Sequence, residues 1–171
     1  MNKAVFLDRD GVINFKRDDY VKNVDEFVMI TGAAKAIKLL NDNNFLVIVI
    51  TNQSAVNRKL VTHDMLESIH VFMKNQLERE GAFIDGLYYC PHRPDEDCEC
   101  RKPKPGLILD AIKDHNILPG KSWFIGDSET DMIAAKSAGL ATIKINENGS
   151  LLDTVKNMLY DQKNCSEFSC K

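Results

Sequence analysis

A chain of 171 residues, 44% hydrophobic and 27% charged with a formal net charge of −3, is sized for one domain that buries about 70% of its unfolded surface. That balance carries no electrostatic footprint for nucleic acid or an anionic membrane. The apolar run in MNKAVFLDRDG is too short for a signal peptide or a membrane span, and no exposed apolar stretch points to an interface, so a soluble, cytoplasmic monomer is expected.

The stretch from Ala4 to Asn14, AVFLDRDGVIN, opens with an apolar run typical of a buried strand and stops at two aspartates. Side chains alternate along a strand, so Asp8 and Asp10 leave its carboxyl end on one side while Arg9 points the other way. Gly11 lets the backbone turn just past them. Two such close carboxylates stay ionised only beside a positive charge, and a magnesium ion, which favours oxygen ligands and shares its shell with phosphates, is the economical answer.

Residues 15–30 lack periodicity and are expected to form a loop with a flap or hairpin beside the site. Thr31 is a plausible cap for a helix over 32–42 with Ala33, Ala36, Ile37 and Leu40 inward. The run FLVIVI over 45–50 reads as a strand covered on both faces, ending in Thr51-Asn52-Gln53-Ser54. Thr62 then caps an amphipathic helix to about Glu80, with Met65, Ile69, Phe72, Met73 and Leu77 as its apolar stripe, and His63 and His70 as surface or packing residues. Gly81 ends that helix, and 83–89 form a third strand.

Pro105 starts a helix to about His115. Residues 123–126 make a fourth strand ending at Asp127. Ser128 to Asp131 form a capping box for a helix closed by Gly139. A fifth strand over 141–145 and a helix over 150–160 complete a single domain of 1–160. The polar tail 161–171 follows, with no role assigned to Cys165 and Cys170.

Apolar strands alternating with helices predict an α/β fold, a doubly wound, mainly parallel, Rossmann-like sheet. Asp8, Thr51 and Asp127 each follow a strand, so they gather at one sheet edge, where ligands bind. The five cysteines lie at 90, 98, 100, 165 and 170, an odd, clustered set unlike a secreted disulfide framework. Cys90, His92, Cys98 and Cys100 supply three thiols and an imidazole within eleven residues, enough for a closed tetrahedral zinc site. A disulfide between cysteines one residue apart is strained. Zinc here has a structural role, stapling a proline-rich loop and positioning the Arg101-Lys102 pair that follows it.

DRDG, ITNQS, RKPKPG and IGDSETD, in that order and at strand ends, resemble the four motifs of the haloacid dehalogenase superfamily of phosphatases over residues 4 to about 145. With the cysteine loop, the chain is similar to the zinc-containing branch that holds heptose bisphosphate and histidinol-phosphate phosphatases. The resemblance implies the strand order 5-4-1-2-3 without a large cap domain, and magnesium-dependent hydrolysis of a small phosphorylated sugar or polyol. It implies Asp8 as nucleophile and Asp10 as general acid and base with a raised pKa. The implied magnesium ligands are Asp8, Asp127 and the Asp10 backbone carbonyl. Thr51 offers a hydroxyl to phosphate, with Asn52 beside it, and Lys102 is the phosphate-binding amine, with Lys104 as runner-up. Asp131 orients that lysine or serves its capping box, and Asn14 stands behind the acids. Arg58 and Arg101 match positions that meet the distal part of the substrate. Ser128 stands where the branch often has a lysine or arginine, so one substrate-facing cation is missing. Remoter alternatives are a nucleic-acid 3′-phosphatase, disfavoured by the negative charge, and a non-catalytic binding module, disfavoured by the intact charge constellation.

Overall fold

The fold is given by a computed structural model that describes residues 1–146 and 149–168, with the backbone alone at 163 and 165–168. Five strands, β1 (Ala4–Leu7), β2 (Leu46–Asn52), β3 (Gly86–Cys90), β4 (Trp123–Gly126) and β5 (Ala141–Lys144), alternate with α1 (Ala33–Asp42), α2 (His63–Arg79), α3 (Gly106–Asp114), α4 (Glu129–Ser137) and α5 (Leu151–Phe168). The sheet order is β3-β2-β1-β4-β5, every pair parallel. This is the expected 5-4-1-2-3 arrangement.

The central strands are apolar on both sides because alternate residues feed two separate cores. Val5, Leu7, Val47 and Val49 pack with Ile37 and Leu40 of α1, Ile69 and Met73 of α2 and Val155 of α5. Ala4, Phe6, Ile48 and Ile50 pack with Ile108 of α3 and Ala134 and Ala135 of α4. Leu7 pairs with Val49 on one side and Ile125 on the other, so β1, β2 and β4 end at neighbouring levels. No described helix is long and apolar enough to cross a membrane.

Several expectations shift. Gly32, not Thr31, caps α1: at φ +88° it makes the turn that a threonine resists, and Thr31 makes no capping hydrogen bond. Thr62 does cap α2, accepting from the Met65 amide. The inner face of α2 is turned from the expected stripe, since Met65 is exposed while Leu66 and His70 are buried. β2 runs on through Thr51 and Asn52, which pair with Tyr89 and Cys90, so the polar residues belong to the strand itself. β3 begins only at Gly86. The backbone of Phe83, ahead of it, is held by the Asn41 side chain through both its N–H and its carbonyl. The flap over 15–30 is a hairpin-like excursion, closed by Phe15 N–H on Val28 O (2.9 Å) and Ile30 N–H on Ile13 O (2.9 Å). The last helix continues to Phe168 rather than stopping near 160, while Cys170 lies outside the described residues.

Candidate active site

The carboxyl ends of β1, β2 and β4 open into a cleft of roughly 240 Å³ whose walls include Asp8, Asp10, Lys16, Thr51, Gln53, Arg101, Lys102 and Asp127. Asp8 follows β1, and its Oδ1 accepts from the Arg9 amide (2.7 Å) and pairs with Lys102 Nζ (3.0 Å). Burial pushes its carboxyl up to about 7; Lys102 pulls it down, and Asp131 and Asp10 add to the rise.

Asp10 is held differently. Burial alone would raise its pKa, but the Arg9 guanidinium and donors from Asn14, Arg9 and Gln53 outweigh it, leaving Asp10 below the usual carboxylate range. Arg9 Nη2 reaches both carboxylate oxygens (3.0 and 2.9 Å), Asn14 Nδ2 donates to Oδ1 (2.9 Å), and Gln53 Nε2 donates to Oδ2 (2.7 Å). The expected raised pKa at Asp10 is therefore corrected: donors surround it, so the resting group is a carboxylate. Arg9 does leave β1 on the far side as alternation requires, but its long side chain curls back beneath Asp10. Arg9 and Gln53 escaped the sequence reading because neither spacing nor alternation predicts such a return. Asn14 stands where it was expected.

Lys102 is 3% exposed. Its Nζ donates to Ile50 O (2.8 Å) and lies 3.0 Å from Asp8 Oδ1 and 2.7 Å from Asp131 Oδ1. Lys104 is instead on the surface, paired with Asp97 and Glu99. Asp131 touches both Ser128 and Lys102. Its Oδ2 accepts from the Ser128 amide and hydroxyl in the capping box, while Oδ1 faces the lysine. Thr51 is buried in the cleft wall, its Oγ1 accepting from Gln53 Nε2 (2.8 Å).

Asn52 also lines the cleft, beside Lys102. The Asn52 amide is spent on the Lys102 backbone, accepting from its N–H (3.2 Å) and donating to its carbonyl (3.1 Å), so it holds the lysine's loop. Arg58 is exposed on the loop after β2 and takes no part in the cleft wall. Arg101 does line the cleft, braced by a hydrogen bond to His92 O (2.9 Å). Lys16, unremarked in the sequence, reaches Asp127 Oδ2 at 3.2 Å.

The donor set fits magnesium. Carboxylate oxygens of Asp8, Asp127 and Asp131 lie within 4.8 Å of one another. Asp131 is committed to Lys102 and Ser128, whereas Asp127 Oδ1 is buried with no hydrogen-bond partner among the described residues. Gly11 lets the chain pass close by: at φ +86° a Cβ there would collide with the Asp127 carboxylate. The cysteine loop fits zinc. Cys90, His92, Cys98 and Cys100 converge, with Cys90 Sγ 3.1 Å from Cys100 Sγ and His92 Nδ1 3.2 Å from Cys100 Sγ, and the three cysteines are free thiols. That sulfur separation is well beyond a disulfide bond of about 2.05 Å, and three thiols with one imidazole form a donor set suited to a closed tetrahedral site.

Comparison with known proteins agrees with this arrangement. The chain is 38% identical to D-glycero-beta-D-manno-heptose-1,7-bisphosphate 7-phosphatase of Haemophilus ducreyi, over 93% of this chain and 95% of that protein. It is 42% identical to the Neisseria meningitidis serogroup B protein of the same name, over 80% and 73%. The crystal structure of D,D-heptose 1.7-bisphosphate phosphatase from B. bronchiseptica, complexed with magnesium and phosphate, superposes with a TM-score of 0.87 at 32% identity, over 93% of this chain and 99% of that one. The family model of the haloacid dehalogenase-like hydrolases matches residues 2–139, and with these relatives it establishes that the chain belongs to that family, as one of its phosphatases.

Proposed function

We propose that the chain is a magnesium-dependent phosphomonoester hydrolase that removes the 7-phosphate of D-glycero-β-D-manno-heptose 1,7-bisphosphate through an aspartyl-phosphate on Asp8. The observation that carries the chemistry is the Asp8 carboxylate, fixed by buried Lys102 at 3.0 Å and close to Asp127, whose Oδ1 has no hydrogen-bond partner among the described residues. The relatives' names support the substrate. In this reading the chain is one domain over 1–160, a cytoplasmic monomer that acts on a small sugar phosphate and meets neither nucleic acid nor membrane.

Asp8 and Asp127, with the Asp10 carbonyl, are the residues to hold magnesium, which when bound supplies positive charge to the transferring phosphoryl group. Lys102 and the Thr51 hydroxyl complement the phosphoryl oxygens from the opposite side. An Asp8 oxygen attacks phosphorus, forming the acyl-phosphate bond as the bond to the sugar oxygen breaks. Asp10 delivers a proton to that leaving oxygen. Since its resting form is ionised, it takes up this proton as the phosphate dianion arrives beside it. Water then attacks phosphorus, Asp10 takes the water's proton, and Asp8 is released as carboxylate with inorganic phosphate as product. The zinc loop holds Arg101 and Lys102 in register and takes no part in bond making.

Phosphate release with magnesium, compared across the β and α anomers of the bisphosphate and histidinol phosphate, tests the reading. A preference of about 10² or more in kcat/KM for the β anomer is the expected result. A preference for histidinol phosphate would move the enzyme to another substrate with the same chemistry.

A further inference from the structure

Beneath the cleft floor runs a buried polar chain that phosphoryl transfer itself does not use. Arg9, between the two acids, is 0% exposed. Its Nη2 sits 3.0 Å from Asp10 Oδ1 and 2.9 Å from Oδ2, while Nη1 lies 3.2 Å from Nε2 of His70, itself 1% exposed on α2. The His70 ring packs at 5.7 Å from that of Tyr89. A guanidinium buried this deeply is costly, and an apolar pair of similar volume would serve stability as well or better. Its placement therefore points to something other than stability.

The other two donors on Asp10 each hold a single oxygen, Asn14 on Oδ1 and Gln53 on Oδ2. Among the described residues only the Arg9 nitrogen contacts both oxygens, and together with the Asn14 and Gln53 donors it fixes where the carboxylate sits. The guanidinium needs a second anchor to keep its own orientation, and His70 supplies it from a helix that otherwise takes no part in the cleft. A lysine has a single nitrogen and cannot reach both partners in this fork.

We propose that Arg9, anchored by His70, is the positioning residue for Asp10, holding the carboxylate from behind so that its proton meets the leaving sugar oxygen. This rests on the acid and base role of Asp10 described above, and the test separates the two. The rate of Asp8 phosphorylation in a single turnover is measured with heptose bisphosphate, whose alkoxide leaving group needs a proton, and with p-nitrophenyl phosphate, whose leaving group does not. His70→Leu removes the acceptor and His70→Gln retains one; Arg9→Lys keeps the charge and loses the fork.

His70→Leu and Arg9→Lys are expected to slow the sugar ester about tenfold and the aryl ester less than about twofold, a fraction of what full general acid catalysis contributes. KM should stay near wild type, and His70→Gln should recover most of the loss. Equal slowing of both esters, or no slowing, overturns the proposal. Asp10→Asn is the reference: if it fails to discriminate between the esters, the acid role itself is wrong, whereas discrimination by Asp10→Asn alone rejects only the positioning role. Should His70→Leu not fold, Arg9→Lys carries the same comparison.

Discussion

Lys102 is the residue on which the electrostatics of the cleft turn. Among the described residues it is the one cation in contact with both Asp8 and Asp131, and all three side chains are largely or wholly removed from water. Removing one partner of a buried ion pair leaves the other charges uncompensated. Lys102→Met should therefore lower the unfolding free energy by about 3–5 kcal/mol, read by urea denaturation, and also abolish phosphate release. Unchanged stability would mean that the carboxylates are compensated elsewhere. Asp8→Asn separates chemistry from folding. It keeps the shape and loses the nucleophile, so turnover should fall by more than about 10³-fold with the circular dichroism spectrum intact. Residual turnover near wild type would remove Asp8 from the nucleophile's role. Arg9 and Gln53 were illegible in the sequence at this scale, because a long side chain's path depends on the space that folding leaves beneath its neighbours. Arg58 was placed by its motif alone, and its side chain lies exposed outside the cleft wall.

Among the elements, the cysteine loop does for Lys102 what no helix does. Cys90 closes β3 opposite Asn52, its carbonyl accepts from the Gln53 amide at 2.7 Å, and Cys100 is followed directly by Arg101 and Lys102. With zinc bound, Cys90, His92, Cys98 and Cys100 would tie the ends of β2 and β3 to the lysine's loop, and a loop without an apolar core would take its order from the metal. Chelating the zinc should raise amide hydrogen exchange across 90–105 and reduce phosphate release by about tenfold or more, and added zinc should restore both. Fast exchange with full activity would show that the staple is dispensable. The spacing of the three cysteines and one histidine made their convergence legible in advance, and the strand-end positions of Asp8, Thr51 and Asp127 followed from apolar runs broken by polar residues. Helix phase was less legible. Met65 and Leu66 are both apolar and adjacent, so only the packing of α2, with Ile69 and Met73 in the main core and Leu66 against Val56 and Val61, decides which faces inward. Gly32 prevailed over Thr31 because the entry to α1 needs a left-handed residue, which composition does not reveal.

Over the whole molecule, the parallel sheet gathers its acids at one edge, so a magnesium ion held there would share in the pH dependence of folding. Asp8 rises from 3.8 to about 7 in the folded chain, so the native state holds a proton there that the unfolded chain has lost. The stabilisation that this proton gives is complete below the unfolded value and is lost as pH rises through the folded one. Asp10 has the opposite sign: its lowered pKa stabilises the fold above the ordinary carboxylate range and loses that contribution as pH falls. Without magnesium, the Asp8 contribution to the melting temperature should decline between about pH 5 and about pH 8, and Asp8→Asn should flatten that decline. No chelator belongs in the experiment, since it would strip the zinc loop as well. A magnesium ion held by the ionised Asp8 carboxylate would stabilise the fold by mass action, so the increment it adds should be larger at about pH 8 than at about pH 5. Melting curves at both pH values, with and without the ion and in both proteins, decide the matter. Equal increments in the wild-type protein would mean that the bound cation does not engage Asp8. A difference that survives in Asp8→Asn would trace the coupling to another group at the edge, with Asp127 the first to examine.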